Sequence, residues 1–162
     1  MDEQNLVWLA GGTVDESRLM LRFFGDDLDP DFVSQRLGSP PTDSCRKGDL
    51  HRKGRILEKT GRWLLEKERT AEPLEDCLMQ LFGSLTKDLA VWKELTQRFH
   101  GDLRCHLIAR RWNREQTLRS QVLAAIADRG LELIIDMYFE PQDAGGAEQT
   151  ASAAGGRDSG SS

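Results

Sequence analysis

Seven bases fall between positions 46 and 62, Arg46, Lys47, Arg52, Lys53, Arg55, Lys59 and Arg62, against two acids, Asp49 and Glu58. The local net charge is +5 in a chain whose formal total is −5. Arginine forks match oxyanions, and Gly48 and Gly54 can expose backbone amides to one. Arg46, Lys47, Asp49, His51, Arg52, Lys53 and Arg55 therefore form a candidate site for an acidic protein partner or a small anion. The spacing is not the GxxxxGK[ST] of a phosphate loop, and no aromatic interleaves the bases as single-strand nucleic-acid binders require. A solvated connecting loop is the plainer reading of the same residues.

A second set lies on alternating positions. Arg22, Arg104, His106, Arg110 and Trp112, with Arg18, Phe24, Arg62, Glu132, Asp136 and Tyr138, fall on one side of the expected strands. Arginines beside aromatics anchor protein interfaces. Cross-strand arginine–carboxylate pairs also solvate an ordinary half-exposed sheet, and the sequence leaves both readings open.

Other chemistry is weaker. Asp27, Asp29 and Asp31 have the one, three, five spacing of a calcium loop, but Phe32 stands where glycine must turn and Gly38 where a glutamate must close the site. Capping of a helix that begins at Pro30 explains these acids instead. His51, His100 and His106 make no ligand spacing with Cys45, Cys77 or Cys105, so no metal and no cofactor is expected. Cys105 and His106 are adjacent, yet neighbours in a strand point to opposite faces, which makes Cys105 a core residue and leaves no catalytic residue to name.

The elements that must position these residues follow from periodicity. Leu19, Leu21 and Phe23 alternate with Met20, Arg22 and Phe24, a strand with one buried face. Asp29, Pro30 and Asp31 open a short helix; Leu28 and Val33 are placed to staple it, and Gly38 to close it. Residues 43–55 read as loop. Residues 55–59 and 62–67 read as an antiparallel hairpin joined at Thr60 and Gly61. Two helices follow, one over Leu74, Cys77, Leu78, Leu81 and Phe82 and broken near Gly83, the other over Leu89, Trp92, Leu95 and Phe99. Residues 103–112 return to period two. A helix carrying Leu118, Val122 and Ile126 precedes a last strand, 131–139, with Leu133, Ile135 and Met137 inward.

The fold class expected is α+β, a largely antiparallel five-stranded sheet with helices on one face, in ferredoxin-like βαββαβ order plus an extra αβ. Residues 17–139 suffice for one domain with its own core. Residues 1–16 form an extension in which Leu6, Val7, Trp8 and Leu9 could add a strand, and residues 140–162, rich in Gly, Ala and Ser, read as a disordered tail. Residues 1–31 carry eight acids against Arg18 and Arg22, a net of −6. The acidic total disfavours general attraction to nucleic acid or membrane surfaces, no run approaches a membrane span, and the widely spaced cysteines point to a reducing cytoplasm.

Phe24, Gly25, Asp26, Asp27, Leu28, Asp29 and Pro30, then Leu37, Gly38, Pro41 and Thr42, then Arg46, Lys47, Gly48 and Asp49, then Gly61, Arg62, Trp63 and Leu64, carry a resemblance. With a final strand ending in Asp136, Met137 and Tyr138, the chain resembles the bacterial family catalogued as domain of unknown function 4279 over about residues 17–139. Cys45 stands where that family commonly has an aromatic. The resemblance implies a domain shape and a bacterial source, and carries over no activity. The function expected is that of a non-catalytic binding module for an acidic protein or small anion, comparable with a toxin-neutralising immunity protein. The alternative is a hydrolase or transferase acting on a phosphorylated small molecule held by the basic loop.

Overall fold

A computed structural model describes residues 11–51 and 54–141, apart from the side chain of His51. In chain order the elements are β1 (Glu16–Gly25), α1 (Pro30–Leu37), β2 (Asp43–Cys45), β3 (Leu50–His51), β4 (Ile56–Leu57), β5 (Gly61–Thr70), α2 (Leu74–Gly83), α3 (Leu89–Arg98), β6 (His100–Ala109), α4 (Ser120–Asp128) and β7 (Glu132–Phe139). The main sheet has the order β2-β5-β1-β6-β7, and β3 pairs with β4 in a separate small hairpin. Three of the main ladders are antiparallel, while β6 and β7 run parallel. The fold is α+β with a mixed, mostly antiparallel sheet. The parallel pair follows from connectivity, because α4 is a crossover that returns the chain to the end from which β6 started.

Alternation sorts the strands as expected. Leu19, Leu21 and Phe23 of β1, Trp63 and Leu65 of β5, and Leu103, Cys105 and Leu107 of β6 point to one face and join the helices in a single core. Trp63, Trp92 and Phe82 are linked through Phe23 and edge-to-face contacts at its centre. At the start of α1 the Asp29 side chain accepts from Asp31 N at 3.1 Å, Pro30 takes the first turn, and Gly38 closes the helix at φ 78°, its N–H donating to Ser34 O. Leu28 and Val33 are both buried, as a staple requires.

The structure corrects the expected hairpin. Residues 55–59 do not pair with β5; Ile56 and Leu57 pair with Leu50 and His51. Gly61 lies against Gly25 and Leu28 so closely that a Cβ would meet their carbonyl oxygens at 2.7 and 2.9 Å, which sets β5 beside β1. The outer edge of β5 is taken by residues 43–45, read as loop in the sequence. Thr42 N donates to Leu64 O at 2.8 Å, and Arg62 Nη2 reaches Asp43 Oδ2 at 2.7 Å.

Two further expectations change at the other end. β6 stops at Ala109, so Trp112 is outside the sheet and 90 % exposed. Asp15 sits at that end: its N–H donates to Ile108 O and its carboxylate accepts from Arg110 N, in place of a backbone partner. Ile135 and Met137, expected inward, are 48 % and 59 % exposed, because β7 is the sheet edge and only Leu133 among these three joins the core. Residues before 17 also join the domain: Val14 packs on the core and Thr13 bridges to Glu115. The proposed strand at 6–9, the tail from 142, and Arg52 and Lys53 lie outside the described residues.

Candidate functional site

The sheet face away from the helices carries a ladder of charges whose order is set by register. Phe24 is opposite Arg62 and His100, Arg22 opposite Asp102, Arg18 opposite His106, and His106 in turn beside Asp136. Near the β2 end, Arg22 donates Nε to Asp102 Oδ1 at 2.7 Å and Nη2 to Oδ2 at 2.8 Å, a two-pronged pair, and its guanidinium lies 5.1 Å from the Phe24 ring centre. In the middle, Asp136 Oδ2 accepts from Arg104 Nη1 at 3.1 Å. His106 Nε2 is 3.4 Å from the same oxygen without hydrogen-bond alignment, and it has no partner.

Beyond the middle, the face sinks into a hollow of about 280 Å³ lined by Arg18, Arg69, His106, Ile108, Tyr138 and Glu140. The rings of His106 and Tyr138 lie 5.3 Å apart, centre to centre. Burial lowers the pKa of His106, against the pull of Asp136, so the imidazole is neutral at neutral pH. Around the hollow the guanidiniums already hold carboxylates. Arg69 reaches Glu140 through Nη1 at 3.0 Å and Nη2 at 2.7 Å, and Glu16 through Nε at 3.0 Å. Arg110 Nη2 reaches Glu16 at 2.6 Å, and Arg18 pairs with Glu66. Hydrogen bonds from Arg69 hold the carboxyls of Glu16 and Glu140 below the usual carboxylate range.

The basic loop is elsewhere and is differently disposed. Arg46 Nη2 binds Asp29 at 2.6 Å and Asp31 at 2.9 Å, Lys47 pairs with Asp26, and Asp49 accepts from Arg46 N at 2.7 Å. The charge excess legible in residues 46–62 is thus partly neutralised by the acids of 26–31, which lie close in space though distant in sequence. Arg46 and Lys47 fasten the loop to the start of α1. Arg55 is exposed beside Gly54. The loop adjoins the sheet end where Arg62 pairs with Phe24, whereas His106 and Arg110 belong to the opposite end. The basic loop and the His106–Arg110 end of the second set are thus kept apart by the fold.

A family profile matches residues 15–140. The chain belongs to that family, described as a domain of unknown function (DUF4279). No curated protein and no solved structure matches it. The match spans β1 to the end of β7, so every residue around the hollow lies within the DUF4279 domain.

Several residues of the hollow were not legible in the DUF4279 sequence. Arg69 lies past the expected end of its strand and Glu16 before the expected start of β1, because both strands run further than their apolar alternation, and Glu140 follows the last residue of β7. A second concavity, about 390 Å³, lies at the start of α2 among Thr13, Glu16, Ser17, Glu72, Glu75 and Arg119. Ser17 is buried there and its hydroxyl has no partner. Cys105 is fully buried on the helix side and its thiol is pushed up to about 12 by burial, opposite in facing to His106.

Proposed function

We propose that this protein is a non-catalytic binding module whose open sheet face receives carboxylates or another anionic group from an acidic partner. The observation that carries the reading is the rim of the hollow, where Arg18, Arg69 and Arg110 each hold a carboxylate of the chain itself. Such geometry accepts carboxylates, and exposed ion pairs are worth only about 0–1 kcal/mol, so an incoming acid can displace Glu140, the most exposed of these carboxylates, at small cost. The tilted His106–Tyr138 pair adds aromatic surface beside these arginines, and tyrosine and arginine are both enriched among interface anchors. In this reading the partner is an acidic protein surface, with a small anion able to occupy the same hollow, and the protein works in a bacterial cytoplasm that keeps its thiols reduced.

The strands β2, β5, β1 and β6 are read as a split βαβ unit of ferredoxin-like order, with α4 and β7 added at one edge. That arrangement leaves one sheet face uncovered by helices, and the binding reading uses that face. The phosphate-handling enzyme is less well supported, because His106 lies at the far end of the sheet from Arg46 and Lys47.

Capture from bacterial lysate at low ionic strength tests the proposal. The full chain should retain an acidic protein, a variant with Arg18→Gln, Arg69→Gln and Arg110→Gln should lose it, and a variant with Arg46→Gln and Lys47→Gln should keep it. Loss in the loop variant with retention in the face variant would move the site to the loop and overturn the proposal.

A further inference from the structure

One outer edge of the sheet is β7, and apart from the charges of Glu132 and Asp136 it has few of the devices that ordinarily blunt an edge strand. Residues 132–139 contain no proline and no lysine, and the ladder to β6 runs unbroken from Glu132 to Phe139 with no bulge. Ile135, Met137, Tyr138 and Phe139 are all exposed, as is Leu123 on α4, the helix that contacts β7. Exposed apolar side chains grouped along an unpaired strand mark an association surface. We infer that β7 pairs antiparallel with β7 of a second copy of this chain, joining the two sheets across a twofold axis at Ile135.

Register and charge select that occupant and that axis. With Ile135 opposite its own counterpart, Leu133 faces Met137, Ile134 faces Asp136, and Glu132 faces Tyr138, so no like charges are opposed and the apolar helix-side row continues across the axis. Moving the axis by one residue toward Asp136 sets two aspartates opposite each other, and moving it toward Ile134 sets Asp136 opposite Glu132, both unfavourable. The antiparallel arrangement also brings the acidic start of β7, with Asp128 and Glu132, toward the end of the partner that carries Arg110 and Arg111, because β6 and β7 are parallel. Eight strand residues extend about 26 Å. The open face of each sheet stays uncovered by the partner's helices, while Tyr138 and Arg110 of the hollow's rim lie beside the joint.

Two measurements on the full chain decide it. Sedimentation at about 100 µM should give a dimer, and Ile135→Lys with Met137→Lys should weaken self-association at least about tenfold by placing charges on the edge. Residues directly opposite in an antiparallel pair have Cα atoms about 4.5–5.5 Å apart, within disulfide reach, so Ile135→Cys should cross-link to its own counterpart under mild oxidation whereas Ile56→Cys, on the small hairpin, should not. A monomer at that concentration, or equal cross-linking at both positions, overturns the inference. So does a full chain that stays monomeric while one shortened to begin at Gly11 dimerises, which would assign the edge to the chain's own first ten residues.

Discussion

The Arg22–Asp102 pair sets the frame of the open face, and its removal has a calculable cost. Asp102 is 2 % exposed and both its oxygens are engaged by Arg22, with His100 Nε2 3.5 Å from one of them. Arg22→Met keeps an unbranched stem but leaves a buried carboxylate without its fork and removes the guanidinium from the Phe24 ring. Breaking a buried pair in this way costs about 3–5 kcal/mol. The Arg22 side chain is itself 17 % exposed, so water can follow it into the gap and the lower end, about 3 kcal/mol, applies. Replacing both partners removes the stranded charge, and such double replacements are close to neutral. Urea unfolding at pH 7 of Arg22→Met, Asp102→Asn and the double variant should therefore show a coupling of about 2 kcal/mol or more, with the double variant more stable than Arg22→Met. A loss below about 1 kcal/mol for Arg22→Met, or additive single effects, would refute the reasoning and make the pair an ordinary surface contact.

Asp29→Ala should cost on the order of 1 kcal/mol, since it removes the cap of α1 together with one partner of Arg46, and calorimetry should find the melting temperature indifferent to calcium before and after the change. His106 should make stability fall with acidification: its folded pKa is lowered, so the unfolded chain binds more protons once the pH drops below about 6.5, and the loss continues until the folded imidazole also protonates. His106→Gln should flatten that part of the pH profile in denaturation series. The lowered carboxyls of Asp15, Glu16, Asp26 and Glu140 act in a separate, more acidic window, contributing stability above their ordinary range that disappears as they protonate.

Much of the fold was legible because local chemistry and tertiary packing agree. The capped helix at Pro30, the stripes of α2 and α3, and the alternation of β1 and β6 each specify one element and one buried face. Residues 43–45 were not legible as a strand, since Asp, Ser and Cys carry no alternation; their place is fixed by Leu64 and Arg62 across the ladder. Ile135 and Met137 alternate as core residues do, and periodicity cannot tell that the sheet ends at their strand. The site was half legible. Alternation correctly put Arg18, Arg22, Arg104, His106 and Asp136 on one face. It could not show that Glu16 and Glu140 meet at Arg69, a contact spanning most of the chain, or that Asp26, Asp29 and Asp31 would neutralise the basic loop that looked most reactive.

The central claim is that anionic groups bind at the hollow between β1, β6 and β7 and not at the loop. Amide spectra of the full chain, titrated with inorganic phosphate and separately with poly-L-glutamate at low ionic strength, locate the site directly. The account predicts that shifts saturate at Arg18, Arg69, His106 and Tyr138, are larger with poly-L-glutamate, and fade above about 0.1 M salt as surface charges are screened. Saturating shifts confined to Arg46, Lys47 and Arg55, with the residues of the hollow unmoved, would contradict it.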